Sequence, residues 1–431
     1  MSLRGISLRG SVAVRLGCAA VLAMVLASCS GGGSSSGKVS EVRIGLVFPT
    51  SGAMAVLGND QENAAKMMLN WANDHGGVGG AMIKIFTADS QSDPGSGATA
   101  VQRLIDQNQV QVIIGSYASG ISQAIAPVAQ RNKVILWEVG AVSPTVNASG
   151  GQDFLRTVGT SASYAGADVD FLLHYLAGKL GKPAGQIRIG VAHEDGAFGT
   201  SVSDALKALA AQNGLNIVAN EAYAETSSDL TPVVLRLKAA KPDVVFIAPL
   251  VASTPLFWQA AKTQDFNVKA IIGSAGFSSA SFLTKFGAAG IEGVYDVEPP
   301  AVEFMNTTNL SADARTVLDT LRAQFKTQQG HPCLVHCGDG LGGTYVLVKD
   351  VLPRAVASGS LTADSIRAAA SQTDIPDGGT PQGFGAKFDA KGDNTRAISV
   401  IMQWQGGTLK VVWPSTLAIA QPIPMPSWSQ R

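Results

Sequence analysis

From residue 41 the chain alternates short apolar runs with amphipathic stretches. Residues 42–48 (Val-Arg-Ile-Gly-Leu-Val-Phe) read as a buried strand that stops at Pro49 and the Ser51-Gly52 turn. Ala64, Met67, Met68 and Trp71 then recur at helical spacing until Gly76-Gly77 ends the pattern. Further strands are predicted at 82–86, 110–114 and 133–137, with helices at 98–107 and 121–130. A second series opens after Gly159, with strands at 187–192, 215–219, 243–248 and 269–272. Thr231 reads as a helix N-cap, with Pro232 at the first helical position. The chain leaves this series near 294–297, passes through helices at 312–328 and 342–357, and returns to strands at 397–403 and 409–413. The Pro-rich end from Pro414 reads as a surface tail. Strand–helix alternation on this scale predicts an α/β fold in two lobes, each a parallel sheet flanked by helices. Such sheets bind ligands beyond the carboxyl ends of their strands.

The first forty residues have another pattern. Arg4, Arg9 and Arg15 precede or open an apolar run, 12–26, that contains no acid and is short for a membrane span. It ends in Leu26-Ala27-Ser28-Cys29, which resembles the lipobox of bacterial lipoproteins, with Cys29 as the lipid-bearing residue. Residues 30–37 are almost pure Gly and Ser, a flexible tether. The expectation is an exported protein, lipid-anchored to the outer face of the bacterial cytoplasmic membrane. The alternative at this end is an ordinary signal peptide with an incidental cysteine.

Composition narrows the function classes. Of 431 residues, 46% are apolar and 15% charged, so a large packed core is feasible and the composition as a whole is not that of a disordered chain. Removing the signal deletes three arginines and no acid, leaving 29 basic against 32 acidic residues. No basic cluster points to nucleic acid. Past Cys29 the only cysteines are Cys333 and Cys337, too few for a disulfide-stapled scaffold.

Seven segments then match a known family in order. These are 44–52 (Ile-Gly-Leu-Val-Phe-Pro-Thr-Ser-Gly), 73–80 (Asn-Asp-His-Gly-Gly-Val-Gly-Gly), Asp89, Asp93-Pro94, 114–119 (Ile-Gly-Ser-Tyr-Ala-Ser), 193–199 (His-Glu-Asp-Gly-Ala-Phe-Gly) and 241–245 (Lys-Pro-Asp-Val-Val). Over residues 41–413 the chain resembles the leucine/isoleucine/valine-binding family of ABC-transporter substrate-binding lipoproteins. The resemblance implies a type I periplasmic-binding fold: two Rossmann-like lobes with parallel sheets, joined by a three-strand hinge. It places a signal peptide at 1–28, the lipidated cysteine and tether at 29–40, lobe 1 at 41–159 plus 298–384, lobe 2 at 160–297 plus 385–413, and a tail at 414–431. It implies closure on a small molecule, an ABC permease and ATPase subunits as partners, a monomer, no cofactor and no catalysis.

The family's binding residues carry over position by position. Ser119, beside Ala118 in a strand-to-helix loop, matches the serine that holds a ligand carboxylate; without the family it reads equally as a plain helix cap. Gly140 and Ala141 match a second first-lobe loop. Phe198 matches an aromatic that packs on the ligand's apolar part, and otherwise reads as core. Leu57 and Leu250 stand where relatives carry large aromatic residues. Val142 replaces a threonine, and Ala275 an acid, that receive a ligand ammonium. A buried ammonium without such partners costs several kcal/mol. Unless Glu138 substitutes, the expected ligand is therefore a neutral or carboxylate-bearing apolar molecule rather than an ordinary α-amino acid. Trp137-Glu138 reads either as a stacking ring with a ligand-pairing acid, or as a packed ring beside a surface carboxylate.

Residues 338–343 fit Gly-x-Gly-x-x-Gly, but the required preceding strand is poor, and a glycine-rich loop capping the next helix accounts for the pattern. Cys333 and Cys337 admit a disulfide, free thiols or, with His331 and His336, a metal. Two other functions remain open: a ligand-sensing regulatory lipoprotein of the same fold, and an exported α/β enzyme. No nucleophile elbow, phosphate loop or His-Glu-x-x-His helix supports the latter.

Overall fold

The computed structural model describes residues 39–431. The signal, Cys29 and most of the tether lie outside the described residues. No described helix is long and apolar enough to cross a membrane.

The first half of the alternating pattern folds into β1 (Glu41–Phe48), α1 (Ala55–Asp74), β2 (Met82–Asp89), α2 (Pro94–Asn108), β3 (Val112–Gly115), α3 (Ser119–Arg131), β4 (Ile135–Glu138), α4 (Thr145–Gly150) and β5 (Phe154–Arg156). The five strands are parallel, in the order β2-β1-β3-β4-β5. Every residue of β3, β4 and β5 is buried, as befits parallel strands covered on both faces.

The second half gives α5 (Ser161–Phe171), α6 (Ala177–Leu180), β6 (Arg188–Glu194), α7 (Ala197–Gln212), β7 (Asn216–Tyr223), α8 (Thr231–Ala239), β8 (Val244–Ala248), α9 (Thr254–Thr263), β9 (Ala270–Gly273), α10 (Ala280–Ile291) and β10 (Tyr295–Glu298). Then follow α11 (Ala312–Gln329), α12 (Val335–Val346), α13 (Leu352–Ala357), α14 (Ala363–Ala370), β11 (Val400–Gln405) and β12 (Thr408–Trp413). The second sheet has seven strands, β12-β11-β10-β9-β8-β6-β7, parallel from β10 to β7. The β11–β12 hairpin joins it antiparallel at the β10 edge. The protein is thus an α/β molecule of two lobes, each built on a parallel sheet.

The chain changes lobe more than once. β5 ends the first sheet, yet α5 packs on α7 and β11 of the second lobe. After β10, α11 and α12 return to pack on α1 of the first lobe, and β11 then rejoins the second sheet. Buried Arg156, at the end of β5, ties this region together. It pairs with Asp393 at 2.7 Å and donates to the Ala141 and Ser143 carbonyls, so its charge and donors are satisfied without water.

Two local expectations are corrected. Thr231 lies inside α8; Leu230 is the cap residue, and the Asp229 carboxylate accepts the Thr231 N–H at 2.8 Å. The glycines of 338–343 form no loop; they are buried within α12 and let it approach its neighbours closely. A Cβ on Gly340 would stand 2.3 Å from the Gln61 carbonyl oxygen of α1. The tail lies on the surface of the second lobe, held there by specific contacts. Trp428 packs edge-on against Trp258 and donates to the Phe266 carbonyl, while Gln403 and Tyr295 donate to the Ile423 carbonyl. Tail backbone groups so bound lose their freedom to fray.

Because α1 and α12 touch through backbone, Gly340→Ala forces them apart. The expected loss is about 1–3 kcal/mol in urea unfolding; an unchanged midpoint would show slack in this contact.

Candidate functional site

The segments that follow β3, β4, β5, β6, β8 and β9, the end of β10 and the first turn of α12 converge on one cavity between the two sheets' carboxyl edges. Its walls are Tyr117, Ala118, Ser119, Gly140, Tyr164, Phe198, Leu250, Ala275, Glu298 and His336. It encloses about 20 Å³, room for roughly one water. A larger groove of about 800 Å³ runs along the amino ends of β3 and β4 and the first turn of α14, and holds none of the candidate residues.

Six sequence-predicted residues meet here: Ala118, Ser119, Gly140, Phe198, Leu250 and Ala275. Ser119 opens α3, whose cap, Ala118, has no side-chain acceptor. The first helical bond is Ser122 N–H to the Ala118 carbonyl, so the N–H groups of Ser119, Gly120 and Ile121 have no intrahelical partner. The Ser119 hydroxyl accepts the Ser143 N–H at 3.2 Å, which leaves its own proton to donate. With the positive end of the helix dipole this makes a neutral anion-binding edge. Gly140 is required by space: a Cβ there would stand 2.9 Å from the Tyr117 Cα and 2.6 Å from Gln61 Nε2. Phe198 meets Tyr164 edge-on with centroids 6.3 Å apart, giving one apolar wall. Tyr117 and Ala275 sit at φ 78° and 50°, left-handed backbone that costs about 1–2 kcal/mol per residue.

Four candidates do not line the cavity. Leu57 and Ala141 lie in the main hydrophobic core and Val142 in the core of the second lobe. Glu138 is neither a surface carboxylate nor a cavity wall. It is fully buried and accepts the N–H groups of Ser116, Gly140 and Ala141 at 2.8–3.0 Å, and the Ser122 hydroxyl. Burial pushes its pKa up to about 7, against the pull of those donors. Trp137 is buried too, donating from Nε1 to the Gly343 carbonyl at 2.9 Å.

Sequence reasoning missed Tyr117, Tyr164, Glu298 and His336. Tyr117 stood inside a quoted loop. Asp296 and Glu298 gave a readable signal, two acids at alternate positions of a buried strand, hence on one face. The Glu298 Oε2 accepts the Ser278 hydroxyl at 2.5 Å, and Oε1 lies 3.6 Å from His336 Nε2. Burial pushes Glu298 up to about 8 and His336 down to about 3, so near neutral pH an uncharged imidazole faces a protonated carboxyl. His336 belongs to the first turn of α12, which a Cys333–Cys337 disulfide closes with Cα atoms 5.2 Å apart. Among the described residues no group of three or more His, Cys, Asp or Glu is placed to hold a metal.

Two α/β lobes with one cavity between their strand tips define a solute-binding protein. The sequence profile of the periplasmic binding protein family matches residues 41–408, and the chain belongs to that family. The Leu/Ile/Val-binding protein homolog 8 of Brucella abortus (strain 2308) is 29% identical over 386 residues, 89% of this chain and 93% of its own. Among solved structures, the branched-chain amino acid transporter substrate binding protein LivJ of Streptococcus pneumoniae, in complex with isoleucine, superposes with TM-score 0.72 at 16% identity, over 87% of this chain and all of that one. The leucine binding protein LivK of Thermotoga maritima gives TM-score 0.73 at 19% identity, over 88% and 98%. These two structures share the fold. Relatives and fold alike are those of solute-binding proteins rather than enzymes.

Glu138 has a folded pKa above its ordinary 4.5. Its contribution to stability is therefore complete below pH 4.5 and is lost as pH rises through about 7. Urea midpoints at pH 5, 6 and 7.5 should show the wild-type advantage over Glu138→Gln shrinking with pH, at up to ~1.4 kcal/mol per pH unit. A constant difference would mean that Glu138 is ionised throughout.

Proposed function

We propose that this protein is the extracytoplasmic, lipid-anchored solute-binding component of an ABC importer. It captures a small amino-acid-like or carboxylate-bearing apolar ligand between its lobes. The observation that carries the reading is the meeting of Ser119, Ala118 and Gly140 from the first lobe with Phe198, Leu250 and Ala275 from the second in one cavity. The ligand's carboxylate sits at the Ser119 hydroxyl and the opening N–H groups of α3. Its apolar part packs on Phe198, Tyr164 and Leu250.

The cavity is smaller than any amino acid, so binding requires the lobes to part and re-close. We assign the hinge to the three passages near 159, 297 and 384, dividing lobe 1 (41–159 plus 298–384) from lobe 2 (160–297 plus 385–413). A ligand touching both lobes favours the closed arrangement only by binding it more tightly than the open one. The closed monomer then docks on a permease driven by ATPase subunits, while lipid on Cys29 and the Gly/Ser leash keep it at the outer face of the cytoplasmic membrane. That family relatives bear Leu/Ile/Val-binding names supports an amino-acid-like ligand.

A melting-temperature screen of amino acids, aromatic carboxylates, amides and polyols tests the reading, since a bound ligand raises apparent stability by mass action. Stabilisation by a carboxylate-bearing solute is expected; stabilisation by polyols alone would remove the anion site. With the ligand so found, Ser119→Ala should weaken binding by about 1–3 kcal/mol in calorimetry while the protein stays folded. Equal affinity would displace the carboxylate from this helix end.

A further inference from the structure

We propose that the second lobe carries a further binding site, separate from the cleft, for a single-chain acyl anion: an apolar tail of medium length under a carboxylate or phosphate head. The site is the groove between α6 and the Pro-rich tail.

This groove has a volume of about 480 Å³, the size of a small-molecule site. It lies at the amino ends of β9 and β10, where Lys269 precedes the one strand and Tyr295 opens the other. The cleft lies at the opposite, carboxyl ends, and the two sites share no lining residue. One wall is helical. Tyr175 and Leu176 belong to a π-helical turn, Leu172–Leu176, that joins α5 to α6, and Leu180 ends α6. Turns of this kind recur at functional sites. The other wall is the tail segment 422–425, which the second lobe clamps in place. The Tyr175 hydroxyl donates to the Pro422 carbonyl at 3.2 Å and the Tyr295 hydroxyl to the Ile423 carbonyl at 3.2 Å. The Gln403 amide pairs with both backbone groups of Ile423, donating to its carbonyl at 2.7 Å and accepting its N–H at 2.8 Å. Pro422 and Pro424 have no N–H to leave unpaired, so this stretch of backbone can stand beside an apolar occupant at little cost.

The chemistry of the lining fixes the class of occupant. Leu176, Leu180, Ile423 and Met425 offer apolar surface to a hydrocarbon chain. The charged groups of the lining are Lys179 and Lys269, with no acid beside them. Both lysines are exposed, and among the described residues no carboxylate pairs with either. The Lys179 ammonium lies 5.4 Å from the centre of the Tyr175 ring, so its stem runs along the apolar wall while its charge stays at the rim. Two uncompensated cations over an apolar trough attract a molecule with a negative head and an apolar tail, and repel one with a positive head.

Calorimetry on the full-length protein tests the site with decanoate, a lysophosphatidylglycerol and decyltrimethylammonium, each below micelle-forming concentration. At least one of the anions should bind and the cationic amphiphile should not. The tighter of the two anions identifies the head as a carboxylate or a phosphate. Lys179→Glu combined with Lys269→Glu should weaken anion binding about tenfold or more, while Ser119→Ala leaves it unchanged. The proposal is overturned if neither anion binds, if the cationic amphiphile binds equally well, or if the double variant binds the anions as the wild type does. Loss of anion binding in Ser119→Ala would place the molecule in the cleft and overturn it as well. If the double variant does not fold, the contrast between anions and cation in the wild type and in Ser119→Ala decides alone.

Discussion

The first-lobe edge of the cleft depends on one buried carboxylate. Glu138 gathers the N–H groups of Ser116, Gly140 and Ala141 and the hydroxyl of Ser122, thereby linking the loops after β3 and β4 to helix α3. Loops at the tips of parallel strands carry amides that no ladder satisfies, and each one buried without an acceptor costs about 1–3 kcal/mol. By taking them from beneath, Glu138 holds the loops rigid and leaves the first amides of α3 facing the cavity. A cleft wall built this way is preorganised, so a ligand meets fixed donors and pays little ordering entropy at that edge.

The same device recurs across the cleft with different outcomes. Glu194 ends β6 and takes the N–H groups of Gly196 and Gly199, fixing the start of α7 and hence Phe198. Burial pushes it up to about 7, as it does Glu138. Glu298 ends β10 but meets a hydroxyl, an imidazole and other acids rather than a row of amides. Behind it, Asp296 is buried with both carboxyl oxygens unpartnered among the described residues, and burial and Glu298 together raise its pKa well above the ordinary value. A protonated acid can be buried where an ionised one cannot, so this side of the cleft is stable while uncharged. Two carboxylates serve the backbone; the third faces the cavity.

Helix α12 connects this chemistry to the fold. It comes from the segment that crosses after β10, and its glycines bring it within backbone contact of α1. The Cys333–Cys337 bridge closes its first turn, and that turn carries His336 to the cavity and Asp339 behind Glu298. The glycine pattern at 338–343 and the Cys/His segment before it therefore act together as one tightly packed, cross-linked helix start. The glycines serve close approach, and the cysteines hold the turn that presents the imidazole.

The order of strands and helices was legible in the chain because burial on both faces forces long apolar runs with a period that side-chain geometry dictates. The short strands were not: β5 has three residues, and β10 contains two acids that break its apolar pattern. Ser119, Gly140, Phe198, Leu250 and Ala275 were reached through the family resemblance, which carried its binding positions over to them; they lie beyond strand tips, where a parallel sheet leaves unsatisfied amides and space. Glu138 was noticed and misplaced, since a sequence shows that an acid follows a strand but not whether its carboxyl turns outward or back under the loops. Only the tertiary structure decided that Glu298 and His336 face each other. Their meeting depends on a chain that leaves one lobe after β10 and returns through α12, and proximity across such a crossing is a property of packing, not of spacing along the chain.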